Sequence, residues 1–330
     1  MSSDVDIIGA RTLRDLRSES LDAFGPRSSR PWLAIDLEEI DPTDDDLALW
    51  LGALPCPVVG LGREQRRADL DQACDAIVER PETLVSIAAT IEASPIAAMT
   101  FVQLLRLIEG LGPDQALTAE SLAYGVLQAG PEFDGWLRQA KPVAGAREPG
   151  PAVMIDRRAG ELHLTLNRPG NRNALSLEMR DALVEALDIA RLDEEIGTVT
   201  LRGAGRCFSV GGDLSEFGLA PDPATAHWVR SVRSPARAMT AVGHRLTVQV
   251  QGACIGAGVE LPAFAAEVIA APDAFFQLPE LKMGLLPGSG GCVSLSRRIG
   301  RQRTALLGLT GRRITASTAL VWGLVDRIDG

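Results

Sequence analysis

The second half of the sequence alternates between two hydrophobic periods, and this alternation narrows the choice of fold more than any other feature. Residues 161–167, 196–203 and 245–252 have apolar side chains at about every second position, which predicts strands. Residues 176–192 instead show the 3.6-residue spacing of an amphipathic helix. Strands that alternate with helices favour an α/β layer with crossover helices, in which the loops at the strand ends are the expected places for chemistry.

A segment rich in proline, glycine and small residues, 139–152, separates this region from the first half of the chain. It predicts a domain boundary, with one region in residues 1–145 and a second in residues 150–330. In the first region, the patterns predict strands at 31–36 and 56–62 and helices at 44–54, 81–94, 96–110 and 118–130, the last with Thr118 as its N-cap. The first region is therefore expected to be mainly helical.

Composition argues against several classes of protein. Of the 330 residues, 46% are apolar and 23% are charged, which is typical of a globular protein rather than a disordered chain. A net charge of -10 argues against a broad nucleic-acid surface, although a local basic patch would still suit phosphates. The amino terminus lacks the apolar run of a secretory signal, and the apolar stretch 84–105 is interrupted by Glu92 and Pro95, so we expect no membrane span.

Cysteine usage bears on the compartment and on metal binding. The five cysteines are scattered without a C-x-x-C pair, and the chain has only three histidines, His163, His227 and His244. This pattern argues against a disulfide framework or a zinc site and favours a reducing cytoplasm. Each histidine is expected to be structural or at the surface.

Three loops in the second half stand out together. They are NRPGNRNAL (167–175), GRCFSVGGDL (205–214) and GACIGAGVEL (252–261), the last continuing into APDAFFQLPELKMGLLPGSGG (271–291). Their glycines do not give the dinucleotide pattern G-x-G-x-x-G, the phosphate loop G-x-x-x-x-G-K-[ST] or the hydrolase elbow G-x-S-x-G. Nucleotide binding and serine hydrolysis are therefore disfavoured.

In order and spacing, the same loops resemble those of the crotonase, or enoyl-CoA hydratase/isomerase, superfamily. The resemblance extends from about Val153 to Ile328. It implies an α/β fold of repeated ββα units that binds an acyl-CoA and commonly assembles as a trimer or a pair of trimers. It also implies that no cofactor is needed besides the coenzyme A of the substrate.

The resemblance implies an oxyanion hole. A thioester that loses an α-proton passes through an enolate, whose oxygen is stabilised by backbone N–H donors. By position in the family motifs, these donors are the N–H groups of Val210 and Ala257. Gly256 and Gly258 would let the acyl group approach the main chain.

Two glutamates match the catalytic positions of hydratases in this family. Adding water to a double bond needs one group that deprotonates water and another that protonates the α-carbon. The hypothesis is that Glu260 orients and activates the water and that Glu280 protonates the α-carbon. Alternatives are a carboxylate that stabilises a helix amino end, for Glu260, and a loop salt bridge with Lys282 or an arginine, for Glu280.

Other residues are expected to contact the substrate by family position. The backbone of Asn173, Ala174 and Leu175 is the expected contact with coenzyme A, and a loop arginine, Arg172, is a further candidate for its phosphates. The stretch Gly211, Gly212 and Asp213 is expected to line the site. Asp213 is also predicted to cap a helix, with Glu216 at the capping-box distance.

The sequence departs from the family pattern at both ends. Family members continue past an element like GLVD (323–326) into helices that cover the acyl pocket, whereas only four residues follow it here. The helical patterns of the first half resemble that tail. Two arrangements are therefore considered, a degenerate crotonase-like half fused to an active one, or a tail relocated by circular permutation; the alternative is an unrelated helical domain.

The favoured function is hydration of a 2-enoyl-CoA, as in fatty acid metabolism. Other crotonase reactions remain as alternatives: double-bond isomerisation, thioester hydrolysis or oxygenation of an aromatic acyl-CoA in biosynthesis. A non-catalytic acyl-CoA-binding partner is a different class, which the pair Glu260 and Glu280 disfavours. The expected partners are an acyl-CoA and further copies of this chain, without nucleic acid or membrane.

Overall fold

A computed structural model describes residues 5–40, 44–62, 69–140 and 148–329. The first half begins with a four-stranded parallel sheet in the order β1-β2-β3-β4, formed by Ile7–Ile8, Leu33–Asp36, Val58–Leu61 and Ala76–Val78. The short helices between these strands are α1 (Ala10–Leu16), α2 (Asp45–Ala53) and α3 (Asp69–Ala73). The strands predicted at 31–36 and 56–62 and the helix predicted at 44–54 are confirmed.

Four helices follow this sheet: α4 (Pro81–Ala93), α5 (Pro95–Leu107), α6 (Pro113–Gln128) and α7 (Pro131–Gln139). Proline stands at the start of each one, where its fixed φ suits the helix and its missing N–H costs no hydrogen bond. The predicted N-cap Thr118 is wrong, because Pro113 starts α6 a turn earlier. Thr118 lies inside the helix, and its hydroxyl donates to the carbonyl of Asp114 at 2.9 Å.

The apolar stretch 84–105 is divided between α4 and α5, which meet at an angle of 109°. Among the described helices, none alone is long and apolar enough to span a bilayer, and this bent pair satisfies the length and composition only when its two members are joined. Both helices bury their apolar faces in the protein.

The second half contains a six-stranded sheet in the order β13-β10-β8-β7-β6-β5. Its strands are β5 (Val153–Arg158), β6 (Glu161–Leu166), β7 (Thr198–Gly203), β8 (Leu246–Val250), β10 (Glu267–Ala270) and β13 (Arg327–Ile328). Strands β5 and β6 form an antiparallel hairpin, and the other neighbours are parallel. A smaller sheet, β12-β11-β9, is formed by Ile314–Thr315, Phe275–Gln277 and Ala253–Ile255.

The helices of the second half cover these sheets. They are α8 (Leu177–Leu192), α9 (Pro223–Val232), α10 (Pro235–Val242), α11 (Ala257–Glu260), α12 (Gly291–Ile299), α13 (Arg301–Thr310) and α14 (Ala316–Trp322). The predicted alternation is confirmed, since β6, α8, β7 and β8 fall at the predicted segments. Ser176 caps α8, accepting a hydrogen bond from the N–H of Met179.

The larger of two hydrophobic clusters contains residues of both halves, and the smaller one lies within residues 8–77. Phe101 of α5 packs on α13 at Gly308, where a Cβ atom would lie 2.5 Å from the phenylalanine ring. Asp75, which is 1% exposed, accepts hydrogen bonds from Arg106 of α5 and from Arg301 of α13. Of the predicted boundary segment, residues 141–147 lie outside the described residues. The domain boundary at 145–150 therefore stays a prediction. In the structure, the packing is continuous across the two parts.

Candidate active site

The predicted loops border a cavity of about 770 Å³. Residues from both halves line it: Glu120, Ser121 and Tyr124 come from α6, and Val210, Ala257, Glu260 and Glu280 come from the second half. Helices α6 and α9 close one side of this cavity. The helices of the first half therefore form part of the wall of the site.

Loops 205–214 and 252–261 are held side by side. The N–H of Ser209 donates to the carbonyl of Ala253 at 3.2 Å, and the N–H of Ile255 donates to the carbonyl of Ser209 at 3.1 Å. Gly258 lies at a close approach of the two loops, where a Cβ atom would overlap the carbonyl oxygen of Ser209. Gly256 has φ +52° and ψ -122°, a conformation that side chains disfavour. The two glycines thus fix the main chain beside the cavity.

We expect Gly258→Ala to separate these loops. The added methyl group has no space, and overpacking of this kind costs about 1–3 kcal/mol of unfolding free energy. The unfolding free energy measured with urea and the rate of the enzyme's reaction should both decrease. The matched control is Gly135→Ala in α7, where no atom lies within 4 Å of an added Cβ; it should be neutral or slightly stabilising. Unchanged stability and rate in Gly258→Ala would contradict the assigned close approach.

The two predicted oxyanion donors lie in these adjoining loops. The N–H of Ala257, at the first position of α11, donates to none of the described residues, and an added Cβ at Gly211 would lie 3.4 Å from this nitrogen. The N–H of Val210 donates to the carbonyl of Arg172 at 3.2 Å. A substrate oxygen would have to share this N–H with the carbonyl of Arg172 or displace that carbonyl. The role of Val210 therefore stays a prediction.

Glu260 is held by one of its oxygens. Its Oε2 accepts hydrogen bonds from the N–H groups of Ser289 at 2.7 Å and Gly291 at 2.9 Å. Burial raises the pKa of Glu260 to about 7, although these two N–H groups oppose the shift. The carboxyl group therefore has a fixed orientation and a pKa suited to proton transfer near neutral pH.

Glu280 shares the same small space. An added Cβ at Gly256 would lie 2.5 Å from Oε1 of Glu280 and 3.8 Å from Oε1 of Glu260. Oε2 of Glu280 is buried and has no hydrogen-bond partner among the described residues. Burial raises the pKa of Glu280 well above its usual value, and the neighbouring Glu260 raises it further. The considered salt bridge with Lys282 or an arginine is not formed among the described residues.

A third carboxyl group, Glu120 of α6, was not predicted as a site residue. It is 2% exposed and accepts hydrogen bonds from the N–H groups of Gly290 at 2.7 Å and Cys292 at 2.9 Å. Four successive N–H groups, 289 to 292, are thus bound alternately by Glu260 and Glu120. Burial raises the pKa of Glu120 well above its usual value, and the nearby Glu260 adds to this shift.

Tyr124 and Arg230 also line the cavity and were not predicted as site residues. Tyr124 follows Glu120 by one helical turn, and its ring packs on Gly288, where a Cβ atom would overlap it. The available signal was in the sequence of α6, where Glu120, Ser121 and Tyr124 interrupt a face that otherwise consists of small and apolar residues. Such polar residues on a buried helix face indicate either a satisfied network or a site.

The residues predicted to contact substrate fall into two groups. Leu175, Gly211, Gly212 and Asp213 line the cavity. Asn173 and Ala174 are buried and do not line it; the amide of Asn173 donates to the carbonyls of Ala204, Cys207 and Phe208 and so holds the adjoining loop. Their contact with coenzyme A stays a prediction.

Asp213 is confirmed as a cap, accepting a hydrogen bond from the N–H of Ser215 at 2.9 Å. The predicted capping box is wrong, because the carboxylate of Glu216 accepts from the N–H of Leu177 at 2.7 Å and so links this turn to α8. Asn171 also donates to Asp213 at 2.8 Å. The end of the loop 205–214 is therefore held by the side chain of Asn171, and the turn that follows it is held by the backbone of Leu177.

Among the histidines and cysteines, Cys292 adjoins the acidic centre, since its N–H donates to Glu120 at 2.9 Å. His163 faces Glu161 on β6, and Nδ1 of His227 lies 2.8 Å from the hydroxyl of Ser121. All five cysteines are buried and free. Within the described ranges, no group of three or more histidine, cysteine or acidic side chains is arranged to hold a metal ion.

Comparison with known proteins identifies the family of the second half of the chain. The family model described as enoyl-CoA hydratase/isomerase matches residues 156–330, which is more than half of the chain. The 2,3-dehydroadipyl-CoA hydratase of Escherichia coli K12 is 36% identical over 182 residues, which cover 53% of this chain and 68% of that protein. The 1,2-epoxyphenylacetyl-CoA isomerase of the same organism is 35% identical, covering 51% of this chain and 66% of the isomerase.

Solved structures show the same fold. An enoyl-CoA hydratase from Mycobacterium smegmatis has a TM-score of 0.50 and 33% identity, covering 54% of this chain and 70% of that chain. An enoyl-CoA hydratase subunit from Geobacillus kaustophilus has a TM-score of 0.50 and 29% identity, covering 54% of this chain and 68% of that subunit. These similarities confirm the predicted crotonase-like fold. The chain belongs to the enoyl-CoA hydratase/isomerase, or crotonase, family.

Proposed function

We propose that this chain hydrates the double bond of a 2-enoyl-CoA. The observation that supports this proposal most directly is the pair of carboxyl groups at Gly256. Glu260 is oriented by two N–H groups through one oxygen, and Glu280 is buried without a partner for Oε2 among the described residues. Hydration needs a base and an acid in one place, and these different surroundings suit the two tasks.

In the proposed reaction, Glu260 accepts a proton from water through its cavity-facing oxygen. The water oxygen forms a bond to C3 of the substrate, and the π electrons move to the thioester oxygen, giving an enolate. The N–H groups of Ala257 and Val210 stabilise that oxygen. Glu280 then donates its proton to C2, which restores the thioester and gives a 3-hydroxyacyl-CoA.

The proposed roles require ionised Glu260 and protonated Glu280. The rate, kcat/KM, is therefore expected to rise as the pH rises through about 7, where Glu260 loses its proton. At higher pH the rate should decrease as Glu280 ionises, and the raised pKa of Glu280 extends the active range on this side. A bell-shaped profile measured with crotonyl-CoA tests both limbs, because hydration consumes the absorbance of the enoyl thioester.

The controls separate the other reactions of the family. A 3-enoyl-CoA tests double-bond isomerisation, release of free coenzyme A tests thioester hydrolysis, and calorimetry with butyryl-CoA tests binding alone. Hydration with a bell-shaped profile would support the proposal. Binding without turnover of crotonyl-CoA or longer 2-enoyl-CoAs, or turnover only in one of the other assays, would overturn it.

A further inference from the structure

Arg230 of α9 places a positive charge in the wall of the cavity. Its guanidinium carbon lies 4.7 Å from the centre of the Tyr124 ring, a cation–π distance. That ring packs on Gly288, next to Ser289, whose N–H binds Glu260. Arg230 therefore lies on the side of the cavity that adjoins the acid–base pair, on the wall formed with α6.

The guanidinium group is held in one orientation by neutral acceptors. Nε donates to the hydroxyl of Ser121 at 3.0 Å, Nη1 donates to the side-chain oxygen of Gln128 at 2.9 Å, and Nη2 donates to the carbonyl of Ser121 at 3.3 Å. A guanidinium group has five N–H donors, so one remains on each terminal nitrogen. A pair of N–H groups on a planar fork matches the two oxygens of a carboxylate.

Arg230 differs from the other arginines of the cavity because it forms no ion pair with a carboxylate among the described residues. Three other arginines line the cavity, and each has a carboxylate partner: Arg180 with Asp181, Arg233 with Glu185 and Arg237 with Asp114. Within the described part of the chain, no carboxylate oxygen lies within 4.0 Å of a guanidinium nitrogen of Arg230. Burial disfavours the charge and lowers the pKa of this arginine, although the nearby Tyr124 and Glu120 oppose that shift. A bound anion would compensate for that cost.

We propose that Arg230 forms a subsite for a carboxylate at the distal end of the acyl chain. The substrate class is then the 2-enoyl-CoA of a dicarboxylic acid. This inference rests on the proposed function only in requiring that the cavity binds an acyl-CoA. An apolar acyl chain would leave the two remaining N–H donors without partners, whereas a terminal carboxylate would accept from both.

Binding of saturated acyl-CoAs tests the subsite without turnover. Calorimetry compares succinyl-, glutaryl-, adipyl- and suberyl-CoA with the monocarboxylic acyl-CoAs of equal length. For at least one length, the dicarboxylic ligand should bind about tenfold or more tightly, as expected for a charge-assisted hydrogen bond. Arg230→Met should remove this preference and leave binding of the monocarboxylic ligand within about threefold of the unchanged protein.

The matched control is Arg297→Met. Arg297 also joins the two halves, donating to the carbonyl of Leu111, and does not line the cavity; its removal should leave the preference intact. Equal binding of both ligands at every length by the unchanged protein would overturn the subsite. So would equal weakening of both ligands in Arg230→Met, because Arg230 would then hold α9 or contact coenzyme A. Either result leaves the hydration assay to be judged separately.

Discussion

Glu280→Gln is expected to lower kcat for hydration of crotonyl-CoA by about 10²–10⁴-fold, the usual contribution of a positioned acid or base. Glutamine keeps the size of a neutral carboxyl group and has no acidic proton to give to C2. Because burial raises the pKa of Glu280, its replacement by a neutral amide should not lower the unfolding free energy at pH 8. Stopped-flow rates and urea unfolding measure the two quantities.

Glu260→Gln should lower hydration by a similar factor for a different reason, since its amide cannot accept a proton from water. Exchange of the α-protons of butyryl-CoA in heavy water separates the two roles, because it needs the oxyanion hole and the group at C2 but not the attacking water. Exchange should be lost in Glu280→Gln and retained in Glu260→Gln. The exposed Glu92→Gln serves as the control. A nearly normal hydration rate in either site variant would remove the role assigned to that residue.

Glu120→Leu is expected to lower the unfolding free energy by about 2–6 kcal/mol, since two buried N–H groups lose their acceptor at about 1–3 kcal/mol each. Those groups, on Gly290 and Cys292, alternate with the two that bind Glu260. Movement of this segment should therefore displace Glu260 and lower kcat as well. Chemical unfolding and the pH–rate profile measure the two effects.

Glu120→Gln is the graded variant, because its amide oxygen can accept from one of the two N–H groups. It should retain more stability and more activity than Glu120→Leu, and it should change the acidic limb of the pH–rate profile, which a general loss of folded protein would not do. Glu92→Gln again provides the control. Glu120→Leu with unchanged unfolding and unchanged rate would show that the segment 289–292 is held by other contacts.

The sequence was sufficient for the parts of the structure that depend on neighbouring residues. Period-two patterns located β6, β7 and β8, and helical spacing located α8. The family resemblance, based on the positions of Glu260 and Glu280 relative to the glycine loops, also predicted that both residues lie in one cavity. One prediction from neighbouring residues was wrong, namely the N-cap of α6. The helix begins at Pro113 rather than after Thr118, since proline fixes φ for the first turn.

The rest of the site depends on packing between distant segments. The cavity is lined by Glu120, Tyr124 and Arg230 because α6 lies against α9 and α12. No local sequence pattern specifies that arrangement of helices. Asn173 illustrates the same limit at shorter range. Asn173 is 1% exposed and its side-chain amide donates to the carbonyls of Ala204, Cys207 and Phe208, three partners more than 30 positions away that no local pattern indicates.

The alternate binding of N–H groups 289 to 292 has a consequence for folding order. Glu120 precedes Gly290 by 170 positions in the chain, so this contact closes a loop of about half the length of the protein. During synthesis, helix α6 is made well before its partners, with its buried face exposed until α12 has emerged. Closure of this contact completes the surroundings of Glu260, so enzymatic activity should be among the last properties to return on refolding, after most of the helical circular dichroism signal.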